Sequence, residues 1–170
     1  MIKLVEMSEQ LVRQFFNGFE NDPAVYEDVG LFHTYIYSDA AADTSWEHQK
    51  RLGRIHLAVM HDQEPIGEII LKNVDINKKC CTLSIHLKND SVKNKGYGTR
   101  AEILVLEYVF DLLQMETVYA DAILKNKRSL HVLEKVGFMK YNQDESYCYY
   151  RCDKSSWLRS KILDAGLVDP

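Results

Sequence analysis

Lys93-Asn94-Lys95-Gly96-Tyr97-Gly98-Thr99-Arg100 is a basic, double-glycine stretch that runs straight into an amphipathic segment from Ala101 to Leu113. Glycine lets a backbone approach a ligand closely and take conformations that a Cβ would block. A helix start adds unpaired N–H groups and a partial positive charge. Together these make a site for phosphate. Thr99-Arg100-Ala101-Glu102 has the spacing of a capping box, which places the helix start nearby.

The flanking pattern says what kind of sheet carries this loop. Upstream, Arg54 to His61, Ile66 to Lys72 and Cys80 to Leu87 alternate apolar and polar residues. Asp62 to Pro65 and Asn73 to Lys79 separate them as turns, so the three read as an antiparallel meander. Ile2 to Glu6 reads as a first strand and Ser8 to Phe19 as a helix, with Leu11, Val12, Phe15, Phe16 and Phe19 at three- and four-residue spacing. Asn21-Asp22-Pro23 stops that helix, and a short helix is expected around Thr44 to Leu52. Downstream, the loop helix has Ile103, Leu106, Phe110 and Leu113 on its expected inner face. Thr117 to Ile123 is a strand, Asn126 to Val136 a helix ended by Gly137, and Met139 with Tyr147 to Cys152 a hairpin. Ser155 to Leu163 closes the chain as a helix. The reading is one α+β domain over residues 1–170, a mixed and mostly antiparallel sheet flanked by helices.

Composition is that of a soluble globular chain: 170 residues, 46% hydrophobic, 27% charged, net charge −4. No apolar window approaches a membrane span and the N-terminus lacks a signal-peptide pattern, so a cytoplasmic location is expected. Neither a membrane nor nucleic acid is an expected partner. Cys80, Cys81, Cys148 and Cys152 lack zinc or disulfide-framework spacing and read as reduced structural residues. The histidines likewise lack metal-ligand spacing, and no metal is expected. Charge is asymmetric: from Gln14 to Gln49 there are seven acids and no Lys or Arg, interleaved with aromatics. Basic residues gather later, at Lys88, Lys93, Lys95, Arg100, Lys125, Lys127 and Arg128. One part of the chain therefore attracts cations and the other anions.

Gly96 to Ala101 formally matches the dinucleotide fingerprint, but the polar stretch Lys88 to Lys95 separates strand from glycines, and the strands before it form a meander. That context excludes a Rossmann unit, and Gly98-Thr99-Arg100 does not supply a P-loop. A second motif decides the ligand: Asn126-Lys127-Arg128-Ser129-Leu130-His131-Val132-Leu133-Glu134-Lys135-Val136-Gly137-Phe138. The two motifs in this order resemble the GNAT superfamily of N-acetyltransferases. The second matches Asn-x-x-Ser-x-x-Val-Leu-Glu-Lys-x-Gly-Phe of the branch with ribosomal-protein and spermidine acetyltransferases. The first matches the family's Arg/Gln-x-x-Gly-x-Gly/Ala loop, with Lys93 in place of the usual Arg or Gln. Trp157 and the order of elements also fit.

The resemblance implies acetyl-coenzyme A as co-substrate, held in a cleft where neighbouring strands splay. Backbone N–H groups across Lys93, Asn94, Lys95, Gly96, Tyr97, Gly98 and Thr99 would meet its pyrophosphate. Ile85, His86 and Leu87 would pair with its pantetheine arm, which Asn126 and Ser129 would also contact. Many relatives carry a catalytic Tyr where Leu133 stands; the ribosomal-protein branch implicates a Ser at the position of Ser129 instead. The resemblance therefore makes Ser129 the expected proton donor to the departing thiolate, with a capping or coenzyme-contact role as its alternative. For the base, His86 is the candidate on the strand, since histidine changes charge near neutrality. Glu27, Asp28, Glu68 or a water chain stand beside it. The expected acceptor is a primary amine, and the acidic N-terminal third suggests a cationic one: a polyamine, a basic peptide N-terminus or an aminoglycoside-like amine. The rival for those acids and aromatics is a solvated surface over packed core. Rival functions are an O-acyl or longer-chain acyltransferase and a non-catalytic coenzyme-binding module. Homodimers are common in the family, though no interface is legible in this sequence.

Overall fold

β2 (Ile55–His61), β3 (Glu64–Asp75) and β4 (Cys80–Leu87) form the antiparallel meander that their alternation predicts. The computed structural model describes residues 1–164. Asp62 at the β2–β3 turn and Lys79 before β4 both take positive φ. β3 begins earlier than its pattern suggests and includes Pro65, beside which the β2–β3 register shifts between Val59 and Met60. β1 (Ile2–Glu6) pairs antiparallel with β2, and the full order is β1-β2-β3-β4-β5-β7-β6. β5 (Thr117–Ile123), β6 (Met139–Gln143) and β7 (Tyr147–Asp153) complete the seven strands. The β4–β5 pairing is parallel and all others are antiparallel.

Each face of the sheet has its own core. On one, α1 (Glu9–Phe16) and α2 (Asp39–Arg51) pack Val12, Phe15, Phe16 and Ala42 over Ala58 and Met60. On the other, α3 (Tyr97–Glu107), α4 (Lys127–Lys135) and α5 (Lys154–Asp164) cover Leu57, Val59, Ile69, Leu71 and Leu83. α1 is shorter than its pattern, ending at Asn17 before Gly18 at φ +94°. α2 starts at Asp39, earlier than expected, because Ser38 caps it by accepting from the Ala41 N–H.

The greatest departure is at α3. Its N-cap is Gly96, in the left-handed region at φ +78°, with no side chain on the first N–H groups. Thr99 and Glu102 therefore do not form the expected capping box; Glu102 instead turns inward and is 3% exposed. The buried stripe is Ala101, Glu102, Val105 and Leu106, then Val109 and Phe110 in a π-turn that continues the helix. Ile103 and Leu113, expected on the inner face, pack only partly against the core.

Candidate functional site

Parallel pairing of β4 with β5 stops after four residues, Cys80–Leu83 against Thr117–Ala120. β4 then continues beside β3, and β5 beside β7, leaving a fork between them. Lys88 N–H donates to Ile66 O across to β3. Strand alternation therefore turns the backbone groups of Ile85 and Leu87 away from β3 and into the fork. Gly67 keeps β3 close here, since a Cβ on it would lie 2.8 Å from His86 O.

Two adjoining cavities, of about 570 Å³ and about 170 Å³, occupy the fork. Both are lined by Ile85, His86, Glu102, Asn126 and Ser129. The larger reaches the start of α3, where Asn94, Gly96, Gly98 and Thr99 line it along with Leu87 and Lys93. Ten of the twelve residues expected at the coenzyme site thus meet at one cleft. Lys95 and Tyr97 stand outside its lining. The Tyr97 ring packs on His61, with centroids 4.8 Å apart.

Helix α3 offers free N–H groups at Gly96 because no side chain occupies them. Gly98 would tolerate a small side chain, since a Cβ would sit 3.7 Å from Leu87 Cδ1. Lys93 behaves differently from its motif position: its N–H donates to Asp90 O, and its Nζ donates to Asp22 at 2.8 Å and Asp90 at 2.7 Å. Asp22 also accepts from Arg128 at 3.2 Å. One carboxylate thereby ties the segment after α1 to the glycine loop and to α4. Although burial alone would raise its pKa, the Lys93 and Ala24 hydrogen bonds and the nearby cations hold Asp22 below the usual range.

On the α1/α2 face, His86 stands directly opposite Glu68 in the β3–β4 register. Glu68 takes His86 Nδ1 at 3.2 Å and His56 Nε2 at 2.8 Å. Burial works to raise the Glu68 carboxyl, but the hydrogen bonds from His56 and His86 outweigh it and bring it down to about 2. His56 and Glu68 are buried, while the His86 ring remains open to the cleft. Glu68 binding at Nδ1 leaves Nε2 as the ring nitrogen free for other partners.

On α4, Asn126 is the N-cap and its side chain accepts from Ser129 N–H at 3.2 Å. Capping therefore falls to Asn126, and the half-buried Ser129 hydroxyl is left for the cleft. Leu133 lines the smaller cavity with an apolar side chain.

The N-terminal acids are mostly engaged within the protein. Asp43 is bonded to Arg13, Asp39 to Tyr37, Glu47 to Lys50, Glu27 to Ser146, and Asp28 closes its own turn at Gly30. Among the aromatics, Phe15 and Phe16 are core, with Phe19, Tyr35, Tyr37 and Trp46 packed around them. Glu20 lines the larger cavity and Asp121 the smaller, neither with an ion-pair partner among the described residues. No helix among the described residues is long and apolar enough to cross a membrane.

Glu102 is the cleft residue that its sequence context concealed, because the capping-box spacing assigned it to an exposed first turn. A usable signal was present: Glu102 lies four residues before Leu106 and seven before Val109, on the stripe that becomes buried.

The chain is 26% and 25% identical to Acetyltransferase PseH from two strains of Campylobacter jejuni, over 92% of this chain and 96% of those proteins. Its fold matches the crystal structure of spermidine N-acetyltransferase from Vibrio cholerae in complex with CoA and spermine. That match has a TM-score of 0.74 at 16% identity, over 92% of this chain and 98% of the other. The family model for the acetyltransferase (GNAT) domain matches residues 2–139, from β1 through the glycine loop to the start of β6. With the forked sheet and the glycine-capped helix at its mouth, the chain belongs to the GNAT family of acetyltransferases.

Proposed function

We propose that this protein transfers an acetyl group from acetyl-CoA directly to a primary amine, with the thioester seated in the β4–β5 fork. The observation that carries this reading is the junction of three features in one cleft. These are free helix N–H groups at Gly96, the unpaired β4 edge at Ile85 and Leu87, and a carboxylate-held imidazole at His86. Backbone N–H groups at the start of α3 suit an anionic pyrophosphate. The free edge of β4 suits an amide-bearing arm lying alongside it as an added strand would.

A lysine-like amine has an unperturbed pKa of about 10.4 and must lose a proton to attack. His86 Nε2 is the base in this reading, with Glu68, bonded at Nδ1, orienting the ring and stabilising the imidazolium that forms. A backbone N–H of Ile85 or Leu87 suits the charge that builds on the thioester oxygen. Ser129 offers a hydroxyl hydrogen bond to the departing sulfur. Glu20, which lines the larger cavity, and Asp121, which lines the smaller, are the acids available to a cationic acceptor. The amine class rests on that charge, and a polyamine, a basic peptide N-terminus and an aminoglycoside-like amine all satisfy it.

The test is release of free thiol from acetyl-CoA across a panel of those three amine types, with coenzyme binding measured separately. Turnover is expected with at least one cationic amine. Replacing His86 by Ala should lower kcat by about 10²- to 10⁴-fold. Glu20→Gln and Asp121→Asn should raise KM for the cationic acceptor while leaving KM for acetyl-CoA unchanged. Coenzyme binding without turnover on any amine would make the protein a non-catalytic binding module. Failure to bind coenzyme A at all would sink the reading.

A further inference from the structure

Glu102 is a carboxyl without an explained role. Its Oε2 is buried and has no hydrogen-bond partner, among only two such side-chain atoms in the described residues. A carboxylate left bare in this way would be very costly, so the group persists as a neutral acid. Burial pushes it up to about 8. The residue lines both cavities of the fork, beside Ser129 and Asn126, and shares the smaller one with Leu133.

Its side of the sheet matters. Leu83 and Ile85 of β4 pack with α3 and α4, so Ser84 and His86 alternate to the α1/α2 face. Glu102, on α3, enters the fork from the face opposite His86. One proton-accepting and one proton-bearing group thus flank the same cleft from its two sides. The charged and titratable neighbours are Glu68 on β3, His86 on β4, Asp121 on β5 and Tyr147 on β7. From α4 come Arg128, His131 and Lys135, and Glu20, Asp22 and Lys93 line the far part of the larger cavity. None of them bonds to Glu102, and burial is the cause of its raised value.

We propose that Glu102 is the general acid of the reaction, giving its proton to the thiolate as the thioester breaks. The inference rests on the acetyl-transfer reading above. In the step, the amine nitrogen bonds to the thioester carbon, the carbon–sulfur bond breaks with its electron pair going to sulfur, and the Glu102 proton moves to that sulfur. His86 Nε2, having already passed the ammonium's first proton to solvent, takes the second amine proton, the one released as the amide forms. His86 then loses one proton to solvent and Glu102 regains one, so both groups return to their starting state. Leu133 cannot donate a proton, and a serine hydroxyl at Ser129 holds its own too tightly near neutral pH. Glu102 supplies what both lack.

The test compares Glu102→Gln with wild type, using acetyl-CoA and the selenoester of the same coenzyme. The selenolate leaves without needing a proton. Gln keeps the shape and neutrality of the protonated side chain, and a thermal melt and coenzyme titration confirm folding and binding. With the thioester, kcat should fall by about 10²-fold while KM for acetyl-CoA stays within about twofold. With the selenoester the deficit should shrink below about tenfold. Wild-type kcat in Glu102→Gln, or equal deficits with both donors, would overturn the assignment and leave Glu102 a packing residue. A wild type that binds coenzyme yet acetylates no amine would instead remove the reading on which the proposal stands, and the control shows this separately.

Discussion

At the scale of single residues, the two buried glutamates act on stability in opposite directions. Glu68 is depressed to about 2, so its contribution is present above the ordinary glutamate value and is lost as pH falls toward 2. Glu102 is raised from 4.5 to about 8, so the folded state holds more protons than the unfolded chain across that window. Stability therefore falls as pH rises from about 4.5 to 8. Glu102→Gln should remove this loss and make the protein more stable at pH 8 by roughly 1 to 4 kcal/mol, with little change at pH 4.5. Urea unfolding at the two pH values checks it, and a pH-independent difference would contradict it. A residue that weakens the fold near neutral pH and yet occupies the cleft fits a functional group better than a packing one. Glu68→Ala should behave differently, since it strands His56 and His86 and is destabilising by about 3 kcal/mol or more at neutral pH.

At the scale of elements, α3 shows what the sequence could and could not disclose. The glycines placed a helix start in the right stretch, because a left-handed N-cap without side-chain cover is a property of Gly96 itself. The inward turn of Glu102 was hidden, because one helix periodicity admits two phases. Thr99 and Glu102 satisfied a capping rule while Leu106 and Val109 called for burial. β2, β4, β5 and α4 were legible nearly to the residue, since alternation and the Asn126 and Gly137 boundaries are local signals, whereas β3 runs past its pattern at both ends. The Asp22 clamp on Lys93 and Arg128 was not, as it joins three segments distant in sequence. Two substitutions test the element geometry. Gly96→Val forces a β-branched residue to φ +78°, a cost of about 1–2 kcal/mol, and should weaken coenzyme A binding measurably by calorimetry. Gly67→Ala would drive a Cβ to 2.8 Å from His86 O. It should cost about 1–3 kcal/mol in stability and lower kcat more than it alters coenzyme affinity, because β4 must shift under His86.

At the scale of the whole molecule, the sheet serves as a wall between two cores and opens only where β4 leaves β5. The acidic segment between α1 and β2 shows why its sequence left two roles open, an acceptor site and a solvated surface over packed core. Asp22, Glu27 and Asp43 meet partners that only the folded chain brings near, whereas Asp28, Asp39 and Glu47 meet neighbours two or three residues away. Phe19, Tyr35, Tyr37 and Trp46 pack against the smaller core. The fork is equally a long-range product, since β5 leaves β4 to pair with β7, which lies beyond α4 in the chain. The opening leaves a definite exchange signature. Leu83 pairs with Ala120 of β5, whereas Ile85 and Leu87 face the fork with no strand opposite. In the free protein, amides of Ile85 and Leu87 should exchange with solvent far faster than that of Leu83, even though all three belong to one strand. Added coenzyme A should slow exchange at Ile85, Leu87 and the α3 start from Tyr97 to Thr99, and leave Leu83 unchanged. Uniform protection along β4 without ligand would mean that the fork is closed in solution. Protection confined to α3 would mean that the coenzyme meets the glycine loop but does not lie along β4, and the acetyl group would then not reach His86.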